Sequence, residues 1–428
     1  MTAIALRSSA GRRPPAGRAL ARAATEAEAP GPGYQRVRAA TEALCAPLSP
    51  EDAAAQSMTD ASPAKWHLAH TTWFFETMVL SRRQGYRAFD RRYLDLFNSY
   101  YQRLGKPFAR AARGLLTRPS LRDVMQYRTQ VDRAMLDLLA GPVSAPLRAL
   151  IELGLHHEQQ HQELILTDIK HLLSRNPLLP AYGRIAPPEG TPGAAPLRWL
   201  RGGGELACGH EGKGFAFDNE QPRHVVLLAP YEIASRAVTN REYRAFIEDE
   251  GYRRPELWLS DGWATVQRHR WRRPLYWSRD LCSEFTLAGP QPLPPDGIAC
   301  HLSYYEADAF ARWSGARLPS EQEWEALAPE PPPAALDAPP RLHPGLSDGA
   351  WYGGVWSWTC SAYSAYPGYR PAPGAVGEYN GKFMCNQLVL RGGSCATPPS
   401  HWRRSYRNFF PPEARWQFSG LRLARDIR

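Results

Sequence analysis

Two histidines four residues apart, His157 and His161, sit in the stretch Leu155-His156-His157-Glu158-Gln159-Gln160-His161-Gln162-Glu163-Leu164. On a helix this spacing stacks both imidazoles on one face, where one metal ion takes two ligands. Glu158 and Gln160 lie beside them and are candidates to orient the ligands. The string also matches H-E-x-x-H, in which a zinc protease pairs two ligands with a glutamate base. A second cluster, Trp66-His67-Leu68-Ala69-His70, offers a third nitrogen. His67 and His70 point about 60° apart on a helix, and His67 is the weaker candidate of the two. His156 and His171 read as structural or surface residues.

Helices must position these groups. Ser62-Pro63 reads as a helix start, with Ser62 as N-cap and Pro63 in the first turn. Apolar residues follow at helical spacing through Trp66, Leu68, Ala69, Trp73, Phe74, Met78 and Val79. Further helices are expected at 34–46, 120–140 and 146–174, and four such segments with short connections suggest an antiparallel bundle. Set between apolar bundle positions, with a third histidine upstream, the His157–His161 string fits a bundle metal site better than a protease. A segment dense in Pro and Gly, 179–196, separates this helical unit (34–178) from a second half (197–428) of different texture. There, short β-like runs such as His224-Val-Val-Leu-Leu alternate with two helical pieces, Thr239–Glu248 and Tyr304–Ser314. The second half reads as α+β with much irregular structure, and no internal repeat is present.

The 428 residues suit two or three domains, and 43% hydrophobic content rules out a disordered chain. No apolar run approaches the ~20 residues needed to span a bilayer. Residues 1–33 alternate Ala with five arginines, lack the apolar core of a signal peptide, and read as a disordered arm. Seven cysteines, an odd number without a C-x-x-C pair, fit a reducing cytoplasm. The formal charge of +10 is dispersed and almost wholly arginine. No basic stripe of the kind that grips nucleic acid is present.

Strings along both halves carry a further signal: WHLAHTTWFFE (66–76), LFNSYY (96–101), RGLLTRP (113–119) and ELGLHHEQQHQELILTDIKHLLSRNPL (152–178). They continue with FDNEQPRHVV (217–226), VTNREYRAFI (238–247), RLPSEQEWEAL (317–327), GGVWSWT (353–359), YNGKFMCNQLVLRGGSCATP (379–398) and YRNFFPPEARWQFSGLRLARD (406–426). In this order the chain resembles the ergothioneine-type sulfoxide synthases. The resemblance implies a DinB-like four-helix bundle followed by a formylglycine-generating-enzyme-like, C-type-lectin-related α+β domain. It further implies an Fe(2+) site on His70, His157 and His161.

The implied reaction joins a thiol donor to the imidazole carbon of hercynine with dioxygen, leaving a sulfoxide. A tyrosine of the pair Tyr100 and Tyr101 lies by the iron in one branch of the family and implies a proton donor here. Gln160 matches the glutamine that contacts the substrate imidazole. Asn408 and Phe409 match the segment that holds the trimethylammonium, a group best received by aromatic faces. Phe410 stands where relatives that use gamma-glutamylcysteine have an acidic residue, so free cysteine is the favoured donor. The donor loop ending at Arg113 is less basic than in many relatives. A selenosugar, as in selenoneine formation, is the alternative donor, and a non-catalytic metal-binding module is the rival from another class. Cys360, Cys385 and Cys395 are scattered, so the copper chemistry of formylglycine formation is not expected.

Overall fold

The computed structural model describes residues 30–184, 193–333 and 341–427. Most of the expected disordered arm therefore lies outside the described residues, as does much of the 179–196 segment. Residues 30–33, placed in that arm by composition, instead open helix α1 (Pro30–Cys45). Proline is well suited to a first helical turn, where its missing N–H is no loss.

Three more long helices complete the bundle: α2 (Ala64–Phe74, continued by a π-helical turn over Phe75–Val79), α3 (Leu121–Leu139) and α4 (Ala145–Ser174). All eleven residues of α2 are buried. Ser62 does not cap it. The cap position falls at Pro63 without a side-chain bond. Ser62 is engaged elsewhere: its hydroxyl accepts from Arg113 and its amide donates to Asp168.

Helices α2 and α4 cross at Gly154, where a Cβ would meet Phe74 and Phe75 ring atoms at 2.8 and 2.7 Å. The missing side chain lets the two backbones approach. Glu158 then fixes how α4 is rotated. Its carboxylate accepts from Arg38 (2.8 Å), Arg128 (2.7 Å) and Thr41 (2.7 Å), tying α4 to α1 and α3. Burial pushes this acid up, but the two guanidiniums outweigh it and hold it at about 2. Glu158 thus faces away from His157 and His161 and does not orient them, contrary to the expectation from adjacency.

In the second half, β1 (Trp199–Cys208), β2 (His224–Ala234) and the C-terminal strand Ala424–Asp426 form a three-stranded antiparallel sheet. The other main sheet runs in the order Asn408–Phe410, Leu388–Gly392, Trp356–Ala362, Ser419–Gly420. Short helices between them carry capping boxes at Thr239, Ser303 and Ser320. Pairing of Phe409 with Val389 and Asn408 with Leu390 holds the 408–410 strand at the sheet edge, facing the bundle.

Candidate metal centre

Helix α4 presents three stripes. Glu158, Gln162, Ile165 and Ile169 face the bundle core, and His157, His161 and Asp168 face α2. His156, Gln160, Glu163 and Lys170 meet the second half: His156 bonds His401, Gln160 bonds Tyr406, and Lys170 bonds His301 at 2.7 Å. The Glu163 carboxylate accepts from Trp356, Ser394 and Thr397.

On the second stripe, Nε2 of His157 lies 3.1 Å from Nε2 of His161 and 3.2 Å from Nε2 of His70. All three rings are buried, and their ligand atoms lie within 4.8 Å of one another. His70 is clamped between the indoles of Trp66 (4.6 Å) and Trp73 (5.5 Å), nearly parallel to both. Its Nδ1 lies 2.6 Å from the Phe97 carbonyl oxygen. That acceptor takes the ring's proton and leaves the Nε2 lone pair bare. Burial drives all three imidazoles toward the neutral form, His157 down to about 3, with mutual repulsion assisting at His70 and His161. Buried, neutral nitrogens converging on one point form a donor set that a cation satisfies at once.

The centre opens into a cleft of about 290 Å³ between the two halves. His157, His161, Gln160, Tyr100 and Arg113 line it from the helical side, and Asn408, Phe409 and Phe410 from the other. Of the tyrosine pair, Tyr100 reaches the cleft. Tyr101 lies behind it against Trp73, its hydroxyl beside that of Tyr100. Phe409 stacks on Tyr363 at 4.0 Å, and Phe410 meets Trp416 edge-on. Arg113 bonds Ser62 and Ser99, and its guanidinium lies 3.3 Å from the Trp66 ring centre. Burial lowers it to about 9.

Two family models match the chain: the DinB superfamily over residues 34–165, and the sulfatase-modifying factor enzyme 1-like domain over 196–329 and 343–427. Hercynine oxygenase of Mycolicibacterium thermoresistibile is 34% identical over 86% of this chain and 88% of its own length. The chain belongs to the hercynine oxygenase family. The Mycolicibacterium smegmatis member is 33% identical over 86% of the chain and 91% of its own length. Ergothioneine biosynthesis protein 1 of Schizosaccharomyces pombe is 27% identical over 50% of the chain and 28% of its own length.

In this family member the cleft contains residues that sequence reading did not single out. The Tyr379 ring lies 5.6 Å from that of His157, and its hydroxyl donates to Oε1 of Gln160. Nε2 of Gln160 donates to the Tyr406 hydroxyl at 2.6 Å. Both tyrosines stood inside quoted strings, YNGKFMCNQ and YRNFF. Only the long-range pairing with Gln160 distinguishes them from packing aromatics.

Proposed function

We propose that this chain is a non-haem iron(II)- and dioxygen-dependent enzyme that couples a thiol, with cysteine favoured, to the imidazole carbon of hercynine. The balance is one thiol, one hercynine C–H and one dioxygen giving a carbon–sulfur bond, a sulfoxide and one water. The observation that carries the reading is the convergence of the His70, His157 and His161 Nε2 atoms at a cleft walled by Asn408, Phe409 and Phe410. Held by these three neutral imidazoles, iron would supply dioxygen activation and electron transfer.

The chain's own residues do the rest. Gln160 holds one amide orientation between Tyr379 and Tyr406, and its position beside His161 suits contact with the substrate ring. Phe409 offers an aromatic face to the trimethylammonium, while Asn408 supplies a polar contact. Arg113, oriented by two hydroxyls and an indole face, has no carboxylate partner among the described residues and is available to a donor carboxylate. The Tyr100 phenol lines the cleft; burial pushes it well above its ordinary range, so it stays a hydrogen-bond donor beside the reacting atoms and yields its proton only to a strong base formed there. Among the described residues no helix is long and apolar enough to cross a membrane.

The test is reconstitution without air, followed by hercynine with cysteine, gamma-glutamylcysteine or a selenosugar, and then air. Sulfoxide from cysteine supports the reading. A carbon–selenium product alone moves the chain to selenoneine formation. Metal uptake without substrate-dependent oxygen consumption leaves a binding module. His157→Ala and His161→Ala should each lose iron, and full iron occupancy in either would refute the ligand assignment.

A further inference from the structure

His67 enters the centre from a side that the three converging nitrogens do not use. Its Nδ1 lies 2.8 Å from Nδ1 of His161, and its Nε2 lies 3.1 Å from Oδ2 of Asp168. All three side chains are buried. The same Asp168 oxygen accepts the Ser62 amide N–H at 2.8 Å, which holds it in place.

An ionised carboxylate accepts hydrogen bonds and donates none, and a neutral imidazole carries a single N–H. With His161 binding metal through Nε2, its own proton sits on Nδ1, so the facing Nδ1 of His67 is the acceptor and the His67 proton lies on Nε2, toward Asp168. The 2.8 Å contact between the two Nδ1 atoms then requires the proton of His161. With its proton on Nδ1, His161 turns a bare Nε2 toward His70 and His157. We propose that Asp168 and His67 form a two-step hydrogen-bond relay that sets the tautomer and ring plane of His161, which makes both of them positioning residues of the metal centre. The inference rests on the reading of His70, His157 and His161 as metal ligands.

His70 reaches the same tautomer by a shorter device, the Phe97 carbonyl. His157 has no Nδ1 partner among the described residues. Of the two backed ligands, His161 alone is linked to a carboxylate, and an imidazole backed in that way is the more basic donor to a cation. The relay thereby couples a negative charge to a donor set that has no anionic member of its own.

Two measurements on the full chain test the relay. The first is the ¹⁵N spectrum of the metal-free protein labelled at histidine. It should show His161 protonated on Nδ1 and His67 on Nε2. A proton on Nδ1 of His67 overturns the proposal. The second is cobalt(II) titration of the metal-free chain, followed by visible absorption. His67→Leu, which cannot accept from His161, should bind cobalt about 10- to 100-fold more weakly. His67→Gln, whose amide oxygen can accept, should recover most of that loss. Asp168→Ala should weaken binding in the same direction. Equal affinities for the Leu and Gln variants, whether both wild-type or both weak, would mean that His67 only fills space. Should the Leu variant not fold, the wild-type ¹⁵N pattern still decides. If the wild type itself takes up no cobalt, the ligand reading fails, while the ¹⁵N pattern still judges the relay.

Discussion

Tyr100 and Tyr101 are neighbours in sequence, but only Tyr100 reaches the cleft, while Tyr101 packs against Trp73. Replacing Tyr100 with Phe should slow coupling about 10²–10⁴-fold, the usual cost of a lost general acid, with iron and hercynine still bound. Tyr101→Phe removes a hydroxyl that stands behind the cleft beside that of Tyr100 and should slow coupling much less than Tyr100→Phe. Single-turnover product formation after mixing with oxygen reads both, and equal slowing in the two variants would count against Tyr100 as the donor. At Phe409 the expected effect is on binding. The ring stacks on Tyr363 and lines the cleft, where a weakly hydrated trimethylammonium gains from an aromatic face and a primary ammonium does not. Phe409→Ala should weaken hercynine about 2- to 30-fold and narrow its preference over histidine. Calorimetric titration of both ligands checks this, and an unchanged preference would place the betaine elsewhere.

Helix α4 owes its rotation to Glu158, which binds Arg38 and Arg128 in a buried cluster. Glu158→Gln leaves Arg38 with Asp132 and Arg128 with Glu42 as their remaining carboxylates, so it removes two charge-assisted hydrogen bonds and should cost about 1.5–3 kcal/mol of stability in urea unfolding. A loss below about 1 kcal/mol would show that apolar packing alone sets the helix. Much of this level was readable in advance. The apolar period gave helices near 120–140 and 146–174, observed as Leu121–Leu139 and Ala145–Ser174. The expected helical piece Thr239–Glu248 is observed as Asn240–Glu248 with Thr239 as its cap, because a capping box is a local signal. Signals that depend on the third dimension were misread. Ser62 resembles a cap but is bound to Arg113 and Asp168, and Glu158 lies next to a ligand in sequence yet points to the opposite side of the helix. The convergence of His70 with His157 and His161 was legible from spacing and resemblance. The grip of Tyr379 and Tyr406 on Gln160 was not, because those partners lie more than 200 residues away.

The two halves meet through neutral imidazoles. His401 bonds His156 at 2.8 Å, and His301 accepts from Lys170. Burial lowers both His401 and His301 well below the ordinary histidine range, assisted by Arg403 and Lys170 respectively. Since the unfolded chain takes up protons that the folded one refuses, this stability is present above about pH 6.5. It is lost below that at about 1.4 kcal/mol per pH unit for each histidine. The melting temperature should therefore fall between pH 7 and pH 5, and His401→Gln should flatten the slope by one proton's worth. An unchanged slope would place the acid sensitivity elsewhere. Helix α4 also links this interface to the metal stripe, with only one residue between His161 and Glu163 and eight between His161 and Lys170. One residue inserted there turns everything beyond it by about 100°, so that the ligands and the docking side chains can no longer both be served. The helix behaves like the bitting of a key. It can be inherited whole or lost, but not lengthened, whereas the 99–113 loop and the 408–410 strand line the cleft from outside that helix and, on the proposed function, can change the donor without disturbing the histidine cluster.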